Sequence, residues 1–304
     1  MQSFSATDVA FSGIRFVRER PRTVAIWAGA QLVISLVVGG LLVAVMGPSL
    51  AQFQSFGRQQ RTDPTQALAA LSAILPLLAL ALPVGLLING VIYSTVARAA
   101  LRPREEGMGY IRFGADELRQ MLLMLLWVVL FIGAEIGGVV VVLIPTLILT
   151  LVAKPLAALG LLFGLAVMAA LIYGIVRLSL SSAMTFDRKR VELFGSWTLT
   201  KGQFWPMFGA YALVVGLALV ITILVGIISA AVAAVLGGMG GLAAIFTRNV
   251  TTIGQFLAPA SLAVLVIRAV VTPLYWTLFL MPPAQIYRHL SGAADPALDP
   301  STFD

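Results

Sequence analysis

VAIWAGAQLVISLVVGGLLVAVM, residues Val24 to Met46, is a run of 23 residues without a single charge, and it is entered through Arg15, Arg18, Arg20 and Arg22. A bilayer core of roughly 30 Å takes about 20 apolar residues in a helix, because lipid offers no partner to a backbone amide and the segment must satisfy its own. The stretch meets that length, and its arginine flank gives it a side. It exceeds the about 7 to 15 residues of a secretory leader's apolar core. Cleavage at Ser49-Leu50-Ala51 would also leave an odd number of spans, so the segment is read as a retained span.

Five further stretches of the same kind follow, at about Ala67–Ala97, Gln120–Ala153, Leu156–Met184, Pro206–Leu236 and Phe256–Ile286. The second is interrupted by Pro76 and Pro83 and the sixth by Pro273. The third is too long for a straight perpendicular helix and is expected to tilt or to break at Gly137, Gly138 or Pro145. Composition agrees: 60% of the 304 residues are hydrophobic, 11% are charged and the mean hydropathy is +0.99. Soluble domains carry about 25% charged residues, so a soluble enzyme is excluded. The absence of cysteine removes disulfides, iron–sulfur clusters and thiolate zinc, and the single His289 removes a multi-histidine metal site. No cofactor is expected.

Lysine and arginine set the orientation, since basic flanks resist translocation. Fifteen of them fall before the first span, between the second and third (Arg98 to Arg119), around the loop after the fourth (Arg177 to Lys201) and after the sixth (Arg288). The opposite loops hold Arg58, Arg61, Lys154 and Arg248. Both termini are therefore expected in the cytoplasm of a bacterial inner membrane. The net charge of +7 needs no nucleic acid; its expected counterpart is anionic lipid headgroups, at about 1 kcal/mol per surface basic residue.

The segments that enter the odd-numbered spans share a layout. Ile14-Arg15-Phe16 matches Ile111-Arg112-Phe113, and Arg22 and Arg119 each follow seven residues later. The third copy, Gly195-Ser196-Trp197-Thr198-Leu199-Thr200-Lys201-Gly202-Gln203-Phe204-Trp205-Pro206, substitutes aromatics. One reading is an all-α polytopic fold: six transmembrane helices as three hairpins, each with a cytoplasmic interfacial amphipathic helix. These would be three units of a single domain over residues 1–290 (1–97, 98–185 and 186–290), ahead of a tail at 291–304. The other is that basic, aromatic entries are common to polytopic proteins. In the third copy Val191, Phe194 and Trp197 recur at three-residue spacing, and Gly195 and Gly202 leave one side bare. Arg177, Lys189, Arg190, Trp197, Lys201, Gly202, Phe204 and Trp205 are the expected contacts to lipid or to a partner, with a plain surface anchor as the alternative.

Arg177-Leu178-Ser179-Leu180, followed by the loop and by Gly195 to Trp205, resembles the family that contains the membrane domain of bacterial glycerophosphoryl diester phosphodiesterases and the YciC-like integral membrane proteins. The resemblance spans the six-helix body, with its specific residues confined to about 177–206. It implies the fold and the membrane location. In the phosphodiesterases such a domain precedes a soluble catalytic barrel, whereas 18 residues follow Ile286 here, so hydrolysis is not expected. Where that family often carries proline after the arginine–serine element, this chain has Ser181, Ser182 and Ala183.

Glu135 and Arg268 are the deep charges of the spans, and an isolated one costs about 2.5 to 3.5 kcal/mol or more. Placed by helical rise, Glu135 lies about 22 Å from the inner end of its span and Arg268 about 12 Å from the inner face, a gap that an arginine and some tilt can narrow. They are expected to pair, as a strut between hairpins or as a polar centre in a transport path that Asn89 and Arg177 could extend. Glu105, Glu106, Asp116 and Glu117 stand near arginines and read as solvated ion pairs. Gly133/Gly137, Gly160/Gly164 and Gly237/Gly241 have the spacing that lets helices approach. Asn249-Val250-Thr251 is a formal glycosylation triplet of no weight outside a secretory host. No nucleophile elbow, phosphate loop, zinc helix or serine–lysine dyad is found. The expected function is non-enzymatic: a scaffold or membrane-homeostasis factor that engages anionic phospholipid or a partner through cytoplasmic surface helices. The alternative is a small transporter or lipid flippase with a midplane Glu/Arg centre.

Overall fold

The computed structural model describes residues 4–57, 64–247 and 250–292, so Arg58, Arg61, Arg248, Asn249 and the tail from residue 293 lie outside the described residues. Among the described residues all regular structure is helical, and six helices are long and apolar enough to cross a membrane. Two short helices, α1 (Ala6–Ala10) and α2 (Ser12–Glu19), precede α3 (Pro21–Gly57) and α4 (Pro64–Leu101). A 3-10 turn at Gly107–Tyr110 leads to α5 (Ala115–Val152), and a second at Lys154–Leu159 to α6 (Gly160–Leu178). Next come α7 (Ser181–Arg188), α8 (Gly195–Leu199) and α9 (Phe204–Thr247), then α10 (Ile253–Phe256) and α11 (Pro259–Ser291).

The expected spans differ from the observed helices at three places. α5 runs unbroken through Gly137, Gly138 and Pro145 over 38 residues, about 57 Å by helical rise, so the break expected there is absent and a helix of this length fits a bilayer core only by tilting or by extending beyond it. The fourth span is divided between α6 and α7 by a turn at Ser179-Leu180, where hydroxyls from outside the helix have taken the carbonyl of Arg177. α9 leaves helical geometry at Gly238, whose φ of 56° and ψ of −148° are open to glycine and strained for other residues.

The three entry segments also differ from one another. The first is helical: α2 buries Gly13 and Phe16 and exposes Arg15 and Arg18. A side chain at position 13 would collide with the Thr277 carbonyl of α11, so glycine is what lets the two helices meet backbone to backbone. In the second, Ile111-Arg112-Phe113 is non-helical, and in the third only the five residues of α8 are helical. Gly202 lies outside that helix at a left-handed φ of 79° and Gly195 packs against Glu192 and Met184, so neither leaves a bare helix side.

α4 packs on α5, α5 on α6, α6 on α9, α9 on α11 and α11 on α4, which closes a ring of five spans; α3 lies outside it against α11 and α4. The main core sits at the arginine-rich end of this ring, where Trp27, Tyr110, Leu180, Met184, Met207 and Ile286 are fully enclosed. Along α5 the buried residues are Glu117, Gln120 and Leu123, all within its first turns. Beyond them the helix shows Phe131, Ile136, Leu143, Leu147 and Leu151 on its surface, as lipid permits.

Candidate functional site

The ring of spans surrounds an open-sided cavity of about 830 Å3, within the range of ligand pockets, several of whose wall residues, Phe131 and Val215 among them, are also exposed on the outside of the ring. α4 contributes Leu82, Gly85, Leu86, Asn89 and Tyr93, a three- and four-residue spacing that puts them on one face. α5 contributes Met124, Trp127, Val128, Phe131 and Ile132 by the same spacing, and α9 and α11 add Tyr211, Val214, Val215, Phe279, Leu280 and Pro283. The turn between α6 and α7 supplies Ser179, Ser181 and Ser182 at the arginine-rich end. From Leu82 to Tyr93 the cavity spans about 16 Å by helical rise, close to half of a bilayer core. Its floor at Tyr93 lies about 7 Å along α4 from Arg98.

Polar contacts gather at that floor. Ser179 Oγ donates to the Val176 carbonyl at 2.8 Å and shares a hydrogen bond with Tyr211 Oη at 2.7 Å. Trp127 Nε1 donates to Ser181 Oγ at 3.1 Å, and Gln120 and Ser182 exchange bonds of 2.8 and 3.0 Å. Asn89 Nδ2 donates to its own helix, at the Gly85 carbonyl, at 2.8 Å rather than to a neighbouring span. Its neighbour Gly90 makes the interhelical approach: a Cβ there would stand 3.0 Å from the Glu117 carbonyl of α5.

Below the floor two buried arginines hold the loops. Arg98 pairs with Glu117 at 2.8 Å, donates to the Tyr110 carbonyl at 2.6 Å and lies over the Phe186 ring. Glu117 is 5% exposed, so the solvated pair expected there is a buried one. The same loop is fixed from outside by Arg20, which bonds Glu106 at 2.5 Å and Tyr110 Oη at 2.7 Å, and by Trp27 Nε1 to the Gly109 carbonyl at 2.6 Å. Met108, Gly109 and Tyr110 all have left-handed φ, so the chain doubles back sharply and buries the Tyr110 ring under α3. The sequence marks Arg98 only as one basic residue among several.

Arg177 is the second. It donates to the Thr200 carbonyl at 2.8 Å and the Trp197 carbonyl at 2.5 Å, with its guanidinium over the Trp197 and Tyr173 rings. In return Ser196 Oγ donates to the Arg177 carbonyl at 2.7 Å, Thr200 Oγ1 does so at 3.1 Å, and the Leu180 amide donates to Ser196 Oγ. The stretch singled out in the sequence is thus a latch that fastens α8 to the end of α6. Arg177 belongs to that latch, and Trp197 joins it through its carbonyl while its ring is 41% exposed.

Lys189, Arg190 and Lys201 are exposed at the same end, Arg190 in a 2.6 Å pair with Glu192. Phe204 and Trp205 join Tyr173, Trp197 and Phe208 in a chain of ring contacts, with Trp205 75% exposed. Glu135 and Arg268 form no ion pair with each other among the described residues; both are exposed, on α5 and α11, which are not packed together. Glu135 falls one turn beyond Phe131 and Ile132 on the cavity-lining stripe of α5. Gly133 and Gly137 have open space where a side chain would stand, so that pair serves no contact within the chain. Among the described residues no group of three acidic, histidine or cysteine side chains could hold a metal ion.

No family model matches the sequence, and no curated protein or solved structure shows significant similarity to it.

Proposed function

We propose that this chain is a non-enzymatic, multi-pass protein of the bacterial inner membrane with both termini cytoplasmic, and that it engages membrane lipid by taking an apolar chain into the five-helix cavity. The observation that carries this reading is the cavity itself: one leaflet deep, walled by apolar side chains, and floored by polar groups at the arginine-rich end. A tail that enters such a space leaves hydrocarbon as apolar as the cavity walls, so the preference for the cavity comes from its shape and from the polar floor rather than from tail burial. The basic collar of Lys189, Arg190 and Lys201, with the aromatic rings of Trp197, Phe204 and Trp205, suits an interface with anionic headgroups. That arrangement also keeps the expected role of a scaffold or homeostasis factor, with lipid as its partner. It retains the surface-helix reading for α2, whose apolar side packs on α11 while its arginines face outward.

The test uses Gly85, which lines the cavity and has open space at its Cβ. Gly85→Phe fills the cavity without a backbone clash. Native mass spectrometry of protein extracted in mild detergent is expected to show lipid adducts on the wild type and their loss in Gly85→Phe at unchanged melting temperature. Adducts that persist in the variant overturn the reading.

A second reading, lipid transport, is favoured by the position of Glu135, which continues the cavity's α5 stripe towards the opposite leaflet. Proteoliposome flux of a labelled lipid that is lost in Glu135→Gln supports it; intact flux or none in the wild type rejects it.

A further inference from the structure

We propose that the cavity selects an uncharged amphiphile whose hydroxyl group sits between Asn89 and Tyr93. The inference rests on the cavity reading above and names the class of molecule that fits it.

The walls carry no Asp, Glu, Lys, Arg or His. The two cations closest to the floor in sequence are already committed. Arg98 is held by Glu117 and the Tyr110 carbonyl, and both terminal nitrogens of Arg177 by the Trp197 and Thr200 carbonyls, its Nε being buried without a partner among the described residues. Moving an ionised phosphate or carboxylate into an apolar space with no partner is strongly unfavourable, so a phospholipid headgroup is excluded from the floor. A purely apolar occupant is disfavoured for the opposite reason. Asn89 spends one amide hydrogen on the Gly85 carbonyl, which leaves its carbonyl oxygen with no partner among the described residues. The Tyr93 hydroxyl likewise has none there, whereas Ser179, Tyr211, Trp127, Ser181, Ser182 and Gln120 satisfy one another.

Asn89 and Tyr93 lie four residues apart, on the same face of α4 and both in the cavity wall. One oxygen offers an acceptor and the other a donor. A ligand hydroxyl matches both: it donates to Asn89 Oδ1 and accepts from Tyr93 Oη. Asn89 is exposed and Tyr93 half-buried on a face of α4 that lies in hydrocarbon, where a polar group without a partner costs more than a satisfied one contributes, so this pair favours an occupant that brings a hydroxyl over one that lacks it. Diacylglycerol has the required form: a neutral head, one free hydroxyl and acyl chains that reach one leaflet.

The experiment uses the full-length protein in nanodiscs that contain trace photoactivatable dioleoyl diacylglycerol or photoactivatable dioleoyl phosphatidylglycerol with the same chains. Adducts are mapped to peptides of α4 and α5. Diacylglycerol is expected to label the cavity peptides about tenfold more than phosphatidylglycerol, and Asn89→Leu combined with Tyr93→Phe to lower its labelling about 25-fold while leaving phosphatidylglycerol unchanged, as two lost hydrogen bonds imply. Tyr93→Phe alone keeps the ring packing and is expected to give about a fivefold loss, which separates a lost contact from a lost fold. Equal labelling by the anionic probe, or labelling by diacylglycerol that survives the double substitution, overturns the proposal. Gly85→Phe tells its failure from that of the cavity reading: loss of labelling by both probes leaves the cavity reading standing, whereas labelling that survives Gly85→Phe removes both.

Discussion

The arginine-rich end and the opposite half of the same helices are built by different rules. At the first, α4 and α5 meet through Gly90 and the Glu117 backbone, and every buried charge has a named partner. In the second, α5 has no buried residue beyond Leu123, and Glu135 and Arg268 stand apart. The difference teaches where the fold is specified. Lipid tails are as apolar as leucine, so helices in the bilayer gain little by hiding leucine from lipid, and the geometry is set where polar groups and close backbones force a unique fit.

The largest effect is expected from breaking the specified end. Arg98→Leu leaves Glu117 buried without its counter-charge, which costs about 3 to 5 kcal/mol. Thermal unfolding in detergent is expected to show a large drop in melting temperature, and Arg98→Leu with Glu117→Leu to recover most of it, because an apolar pair of similar volume has no charge to leave bare. A double variant no more stable than the single one would mean that the loop, not the ion pair, holds α4 to α5.

A smaller effect is expected at the latch. Ser196→Ala removes the hydroxyl that bonds the Arg177 carbonyl and accepts from the Leu180 amide, and one buried amide left unpaired costs about 1 to 3 kcal/mol. Hydrogen exchange is expected to rise at residues 178–183 and to stay unchanged at the far end of α5. Uniform loosening of both ends would show that they are one cooperative unit and erase the contrast.

Much of this architecture is legible in the sequence, for a simple reason. Span length and hydropathy are local quantities, and the long apolar runs contain the information that makes them helices. What is not local is less visible. Arg98 and Arg102 look alike as basic flanking residues, yet one is buried and the other partly exposed, because burial depends on where Glu117 and Tyr110 arrive from the next element. The break at Ser179-Leu180 is caused by hydroxyls that follow 17 to 21 residues later at Ser196 and Thr200. The Gly195–Trp205 stretch does stand out, but its spacing suggests a surface helix where the chain instead folds back on α6. The cavity was hidden because α4 and α5 are apolar on all sides, so no periodicity tells a wall from a lipid face.

Glu135 and Arg268 give the last and smallest effect. Depth along each span brought them within reach on paper, but depth says nothing of rotation or of which helices are neighbours, and α5 and α11 are separated in the ring by α6 and α9 on one side and α4 on the other. Without a contact there is no pairwise energy to lose. Glu135→Gln and Arg268→Gln are expected to change unfolding by less than about 0.5 kcal/mol each, and the double variant to equal their sum, as distant sites do. A coupling energy above about 1 kcal/mol in that cycle would place the two charges in contact and require the open half of the ring to close. The contrast between a locked end and an unlocked one therefore stands or falls on two residues that contribute almost nothing to the stability of the chain.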